Sequence, residues 1–449
     1  MFVWAYSLLL VIARAIVTKH LANATSTWAK PKQSLRLSAP AAAEEDDESL
    51  DEIGVVRALK FVSPSGQERL FGDAAEANPA VLNVLDDSFF VRVCTRFDVG
   101  FGEAYLAGEI ESPDLLRVLL FLVHLRDTTK RISKPQFSLS FSSAALTAIS
   151  SVGRLTQLLN HWARRNSVDN TRQNIAEHYD LGNDFFRLFL DHETMAYSCA
   201  LYDDEHQTLE SAQANKIARL ASLLQLRTKK TRTNRVLEVG NGWGALSVKL
   251  AQSGHSVTGL TLSLEQQRHV VARAEALQLD DRIQTLLEDY RLHTPEQPYD
   301  GIVSCEMLEA VGHEFLPAFF EHMDRLLVTG GRLVLQVIIT PDHRYERYRN
   351  LADFVQLYVF PGGLCPSFNA ISAAIGGTKL VIEHVDNIGP HYAPTLHEWR
   401  NRFEANLDQV RALGFDERFI RIWRYYLVYC EAAFETRTMN LLHIVMRKH

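Results

Sequence analysis

Residues Arg235–Gly244 read RVLEVGNGWG, an apolar run ending in three alternating glycines, Gly240, Gly242 and Gly244. A strand feeding such a turn marks where an α/β sheet holds a nucleotide-like cofactor. Position 245 is Ala, so the third glycine comes one residue too early for the dinucleotide fingerprint. The tighter spacing suits a cofactor with no pyrophosphate to cradle, as with S-adenosylmethionine. Downstream, apolar runs and helical periods alternate. Strands are expected at Val236–Val239, Ser256–Leu260, Ile283–Leu287, Gly301–Ser304 and Arg332–Ile339, and helices at Ala245–Gln252, Leu264–Leu277 and around Phe315–Leu327. This alternation predicts a doubly wound, mostly parallel α/β sheet of Rossmann-like type. Ligands in such sheets sit beyond the carboxyl ends of the strands. That places Gly240–Gly244, Thr261, Asp289-Tyr290, Cys305–Glu309 and Gln336–Thr340 around one crevice.

The chain has 449 residues, 47% of them hydrophobic and 22% charged, enough for two or three domains. A net charge of −7 gives no global field for nucleic acid. Cys94, Cys199, Cys305, Cys365 and Cys430 are scattered with no C-x-x-C, which excludes a zinc ribbon and argues against a disulfide scaffold. Reduced thiols and an intracellular active domain are expected.

Four sections are expected along the chain. Residues 1–52 hold the apolar run Met1–Ala13, too short to span a bilayer at roughly 20 residues, and an acidic linker containing EEDDE. The run reads equally as a targeting or anchoring segment and as a plain extension. Residues 53–130 form a small α+β unit, with a hairpin over Val55–Phe71 around Ser63-Pro64-Ser65-Gly66 and a helix over Ser112–Leu125 capped by Ser112. Residues 131–151 are a Ser-rich linker or lid. Residues 152–449 form the cofactor-binding domain, opening with a basic amphipathic helix at Val152–Thr171 that either packs on its own domain or rests on anionic lipid head groups.

The residues that could carry chemistry lie at the strand ends. No ribose-binding acid follows the second strand; Thr261 and Gln266 stand there instead, and Thr261 and Ser263 could equally cap the next helix. Asp289-Tyr290 could hold an adenine, Tyr290 by stacking. Were Ser304–Glu314 (SCEMLEAVGHE) helical, Glu306 and Glu309 would lie one turn apart near His313. A metal site there would need ligands on a second helix, and none is evident; no metal is expected. A buried carboxylate facing a cationic intermediate is the better use of Glu309. Cys199 and Cys430 read from spacing alone as small buried hydrophobes.

Together these segments resemble the cyclopropane-fatty-acyl-phospholipid synthases, a branch of the S-adenosylmethionine-dependent methyltransferases. The resemblance runs from about Phe89 to Arg437 through DVGFGEAYLAGE (Asp98–Glu109), IAEHYDLGNDFFRLFLD (Ile175–Asp191), MAYSCALY (Met195–Tyr202) and VLEVGNGWG (Val236–Gly244). It continues through VTGLTLSLEQ (Val257–Gln266), MLEAVGHE (Met307–Glu314), YVFPGGLCPS (Tyr358–Ser367), NIGPHYAPTLHEWR (Asn387–Arg400) and RYYLVYCEAAF (Arg424–Phe434). It implies methylene addition across a cis double bond of a phospholipid acyl chain, with bound bicarbonate as the base. The bicarbonate pocket would comprise the Cys199 backbone, Glu309, Gln336, Ile338 and Tyr392, with Cys430 a further catalytic candidate. The cofactor contacts would be Tyr197, Ser198, Gly240, Gly242, Trp243, Gly244, Thr261, Gln266, Tyr290 and Arg291. Partners implied are a bilayer surface and unsaturated acyl chains, not nucleic acid, with room for a homodimer. The chain departs from the family's pattern twice: Asn241 stands where Cys is usual, and Gln336 where His is frequent.

Three readings compete. The first is the cyclopropanating enzyme, peripheral to the membrane. The second is a methyltransferase of the same fold making a methyl-branched acyl chain or an N-methylated amine. The third is a non-catalytic lipid-binding relative.

Overall fold

The computed structural model describes residues 56–129, 181–226 and 232–449. The expected N-terminal apolar segment, the linker or lid, the basic helix at 152–171 and the first part of the motif at Ile175–Asp191 fall outside them. The chain divides into two compact units, Met1–Thr156 and Gln157–His449.

In the first unit β1 (Ala58–Val62) and β2 (Glu68–Gly72) form the expected hairpin, closed by a turn in which Gly66 N–H donates to Ser63 O at 2.8 Å. β3 (Ala80–Val84), which sequence reading missed, runs parallel to β1, and β4 (Ile110–Glu111) pairs with β3, giving the order β2-β1-β3-β4. The helix Ser88–Leu106 packs Phe89, Phe90 and Phe101 into this unit, with Phe90 6.2 Å from Phe61. The next helix is Leu115–Thr129. Its cap is Asp114, whose carboxylate accepts from Arg117 N at 3.2 Å; Ser112, the expected cap, sits outside and accepts from Asp114 N. The carboxylate prevails because it reaches the free N–H groups of the first turn.

The second unit is built on a seven-stranded sheet, ordered β10-β11-β9-β8-β5-β6-β7. Here β5 is Arg235–Val239, β6 Ser256–Thr261, β7 Ile283–Leu287, β8 Tyr299–Cys305, β9 Leu327–Ile339, β10 Leu380–Asn387 and β11 Asn440–Lys448. Strands β5 to β9 are parallel; β11 lies antiparallel between β9 and β10. The five sequence-read strands and their helices are present, with β9 starting five residues earlier than expected. Strands β10 and β11 were not anticipated. Successive residues feed opposite layers, as the pleat requires. Leu237 and Ile302 pack against Phe319, Phe320 and Met323 of the helix Leu316–Leu326, while Val236, Val303 and Val334 pack against Leu220, Leu246 and Val270.

From β5 the chain builds outward to β6 and β7, then returns to place β8 and β9 on the other side. The reversal leaves a crevice at the carboxyl ends of β5 and β8, where the glycine turn and Cys305–Glu309 emerge. Among the described residues no helix is long and apolar enough to cross a membrane.

The three glycines have φ values of 79°, 48° and 80°. A Cβ on Gly244 would meet both γ carbons of the fully buried Val270 at 2.8 Å, so this position needs Gly for backbone and for space alike. Gly254, φ 88°, has nothing within 4 Å of its Cβ site. Gly254→Ala should therefore cost about 1–2 kcal/mol from φ alone, and Gly244→Ala about 1–3 kcal/mol more from overpacking. Urea denaturation of the two variants checks this; equal losses would show that Val270 does not constrain the turn.

Candidate active site

The glycine turn is anchored to β6, because Gly240 N and Asn241 N both donate to Leu260 O at 3.0 Å. Asn241 points inward: its amide donates to Thr285 Oγ1 at 3.3 Å and fills the space over Gly259, where a Cβ would lie 2.3 Å away. The departure from Cys therefore faces the sheet interior. Among the described residues nothing lies within 4 Å of the Gly242 Cβ site. The helix Ala245–Gln252 begins behind it with no side-chain cap. A small turn with open space above it and an uncapped helix start suits the close approach of a polar cofactor.

At the end of β6, Thr261 Oγ1 donates to Gln266 Oε1 at 2.8 Å, and both side chains are buried. Ser263 caps the following helix by accepting from Gln266 N at 3.3 Å, so capping and the Thr261–Gln266 pair coexist. After β7, Asp289 holds Arg291 by a paired hydrogen bond at 2.9 and 2.5 Å. The Tyr290 ring is half-buried, edge-on to Phe319 at 5.3 Å, and burial pushes its phenol up to about 12. Ser198 Oγ accepts from the buried Lys216 ammonium at 2.7 Å. Trp243 packs on Phe186 at 5.1 Å, itself 5.3 Å from Tyr197, and its indole donates to Asn183 Oδ1 at 2.8 Å.

The centre of the site is Glu306. Its Oε1 accepts from Cys199 N at 2.9 Å and from the Gln336 amide at 2.7 Å, and its Oε2 accepts from Tyr392 Oη–H at 2.6 Å. These donors come from the 195–202 loop, from β9 and from the helix Tyr392–Ala405. The segment from Ser304 to Glu314 is not a continuous helix: Glu306 sits in the left-handed region at φ 50°, followed by short 3₁₀ turns at Leu308–Ala310 and His313–Phe315. Glu306 and Glu309 therefore do not share a helical face, and His313 turns to Tyr345 at 2.9 Å. Burial pushes the Glu306 carboxyl above its ordinary value, and the bonds from Tyr392, Gln336 and Cys199 N offset only part of that. Among the described residues its hydrogen-bond partners are three donors, which favour the ionised form against the cost of burial.

Gln336 is aimed by His443, its register partner on β11. His443 Nε2 lies 2.8 Å from Gln336 Oε1, and since a carbonyl only accepts, that nitrogen carries the proton. Burial drops the imidazole to about 4, so it is neutral and fixes which end of the glutamine faces Glu306.

Glu309 Oε1 accepts from Ile338 N at 2.5 Å, and its buried Oε2 has no hydrogen-bond partner among the described residues. Burial, with the charge of Glu306 second, pushes its carboxyl up to about 8. Cys199 contributes its backbone N–H, while its buried thiol is pushed well above its usual range. Cys430 lies on the helix Glu417–Glu435 below Tyr426; burial and then Asp353 push its thiol up, away from the depressed range a thiolate base needs.

Aromatic rings surround this centre. Tyr197 hydrogen-bonds Tyr426 at 2.9 Å, stacks on Phe360 at 6.2 Å and lies 5.2 Å from Trp399. Tyr392 packs on Phe434 at 4.3 Å. Phe185, Phe186 and Phe189 continue the cluster to Trp423.

Sequence reading named Glu306 only as half of a carboxylate pair and missed Lys216 and His443. Lys216 had a signal: with Gln213 it occupies the buried stripe of the helix Leu209–Leu223, where apolar residues are expected. His443, a lone histidine in an apolar strand, had none.

The family described as mycolic acid cyclopropane synthetase matches residues 166–444. Tuberculostearic acid methyltransferase UfaA1 of Mycobacterium tuberculosis is 37% identical over 82% of this chain and 83% of its own. Cyclopropane-fatty-acyl-phospholipid synthase of Escherichia coli K12 is 32% identical over 82% of this chain and 88% of its own. The crystal structure of mycolic acid cyclopropane synthase CmaA1 complexed with SAH and CTAB superposes with a TM-score of 0.57 at 32% identity, covering 62% of this chain and 98% of that one. With a doubly wound sheet, a glycine turn open to a cofactor and this breadth of similarity, the chain belongs to the mycolic acid cyclopropane synthetase family of S-adenosylmethionine-dependent methyltransferases.

Proposed function

We propose that the chain methylates a cis double bond of an unsaturated acyl chain carried by a phospholipid, closing it to a cyclopropane. The supporting observation is the buried carboxylate of Glu306, held by three donors, one of them Tyr392, whose ring packs on Phe434, with the Tyr197–Tyr426 pair in the same aromatic cluster. An acyl chain offers nothing to hydrogen-bond, so apolar rings are its natural surroundings. Methylating an alkene leaves a carbocation, which aromatic faces and a nearby anion stabilise in a dry site. When bound, S-adenosylmethionine supplies the electrophilic methyl group. The residues fitted to hold it are the turn around Gly242, with the Thr261–Gln266 pair and Tyr290 beside it. A phospholipid surface is the natural source of the substrate, and contact with it would be peripheral.

The bicarbonate base implied by the sequence resemblance does not fit these residues. Cys199 N, Gln336 and Tyr392 are spent on Glu306, and Ile338 N on Glu309, so no step is assigned to that ion. A methyl-branched product is the second reading, favoured by the 37% identity to tuberculostearic acid methyltransferase.

Expression in a bacterium that makes unsaturated but no cyclopropane lipids tests the reaction. Acyl chains should gain one CH2, lose olefinic proton signals and show high-field ring protons; a gain of one CH2 with a branch methyl or methylidene signal and a retained double bond, or of CH2 plus two hydrogens where the host supplies a reductant, instead selects the second reading. Unchanged lipids at full expression contradict both.

The protonation state of Glu309 has its own test. A carboxyl pushed up to about 8 in the fold contributes stability that is complete below its unfolded value and lost as pH rises through about 8. Glu309→Gln mimics the protonated form at every pH. The two melting temperatures should agree within a degree or two at pH 5, and the variant should become the more stable by several degrees at pH 8.5. A constant difference across that range would show that Glu309 is ionised throughout.

A further inference from the structure

We propose that Glu306 is the general base of the reaction, its own carboxylate occupying the anion seat, so that turnover needs no free bicarbonate. The proposal rests on the alkene-methylating function above and deepens it. Of the groups expected to hold the ion, Cys199 N, the Gln336 amide and Tyr392 Oη all donate to Glu306. A carboxylate and a bicarbonate present the same planar O–C–O edge and the same single charge, so donors built for one fit the other. Here that edge is covalently attached to the end of β8.

The backbone supports this assignment. Glu306 is held at φ 50°, a conformation that strains a residue with a Cβ. Strain of this kind persists where the surrounding structure fixes it, often for function. What fixes it is the carboxylate's three bonds, together with Glu306 N donating to Gln336 O at 2.8 Å. The two oxygens are unequal: Oε1 accepts twice and Oε2 once, from Tyr392. Oε2 thus keeps a lone pair for an incoming proton.

The step balances simply. After methyl transfer, the acyl chain carries one new C–C bond and a positive charge on the neighbouring carbon. Glu306 Oε2 takes one proton from the transferred methyl group. The electron pair of that C–H bond forms the second ring bond and cancels the charge, leaving a cyclopropane and a protonated Glu306. Exchange with solvent regenerates the carboxylate. Neither oxidant nor reductant is required.

The test uses the full chain, vesicles of an unsaturated phospholipid and S-adenosylmethionine in buffer stripped of carbon dioxide, with and without millimolar bicarbonate. Wild-type turnover should be the same within about twofold in both. Glu306→Gly relieves the strained φ and empties the seat, so it should fold and keep its cofactor affinity by calorimetry. Without bicarbonate it should lose on the order of a hundredfold or more in turnover, and bicarbonate should restore much of that. Glu306→Gln fills the seat with a non-basic group and should stay inactive in either buffer. Carbon-13 line broadening of labelled bicarbonate should show binding to Glu306→Gly but not to wild type.

Bicarbonate-dependent wild-type turnover, bicarbonate binding to wild type, an undiminished Glu306→Gly enzyme, or loss in Glu306→Gly without recovery would each overturn the proposal. In each of these cases product still forms in the wild type, so the methyltransferase reading survives. A wild type that alters no acyl chain in any buffer overturns that reading and the base assignment with it.

Discussion

The Glu306 carboxylate is the constraint from which the rest of the site follows. Burying a charge costs several kcal/mol, and only well-placed donors repay it. Three donors do so here, drawn from the 195–202 loop, from β9 and from the helix Tyr392–Ala405. Hydrogen bonds to a charged group contribute about 1.5–3 kcal/mol each, enough to hold three distant segments against the end of β8. Because His443 on β11 orients Gln336, even the antiparallel extension of the sheet takes part.

The second carboxylate shows how environment separates two like groups. Glu306 has three donors; Glu309 has one, from Ile338 N, and an unpaired buried oxygen. Two adjacent buried carboxyls do not ionise together, so the proton settles on the one with fewer donors. That leaves Glu309 neutral near pH 7 and Glu306 charged, a division of states that suits one base facing a cationic acyl chain. The main-chain N–H of Leu364 donates to Glu309 O at 2.7 Å, which fixes the FPGGLCPS segment to the same region.

The aromatic shell completes the chemistry. Tyr197, Tyr392, Tyr426, Phe360 and Phe434 exclude water around the anion, which strengthens each of its interactions. Cys430 lies beneath this shell on the same helix as Tyr426, its thiol held protonated by burial.

Much of the fold was legible because strands β5 to β9 and their helices repeat one pattern that the hydrophobic period records directly. The glycine turn was legible for the same local reason, since alternating glycines at a strand end require positive φ. Strands β3, β10 and β11 escaped because short apolar runs do not state their partners; pairing is a long-range property. Glu306 was misjudged for a sharper reason. Its meaning depends on a single left-handed residue at the end of β8 and on donors 30 to 107 positions away, from Gln336, Tyr392 and Cys199. The sequence by itself determined the sheet, the cofactor turn and the family, all carried by contiguous residues. Only the tertiary structure decided which of two neighbouring glutamates bears the charge, because desolvation and donor count exist only once the chain has closed around them.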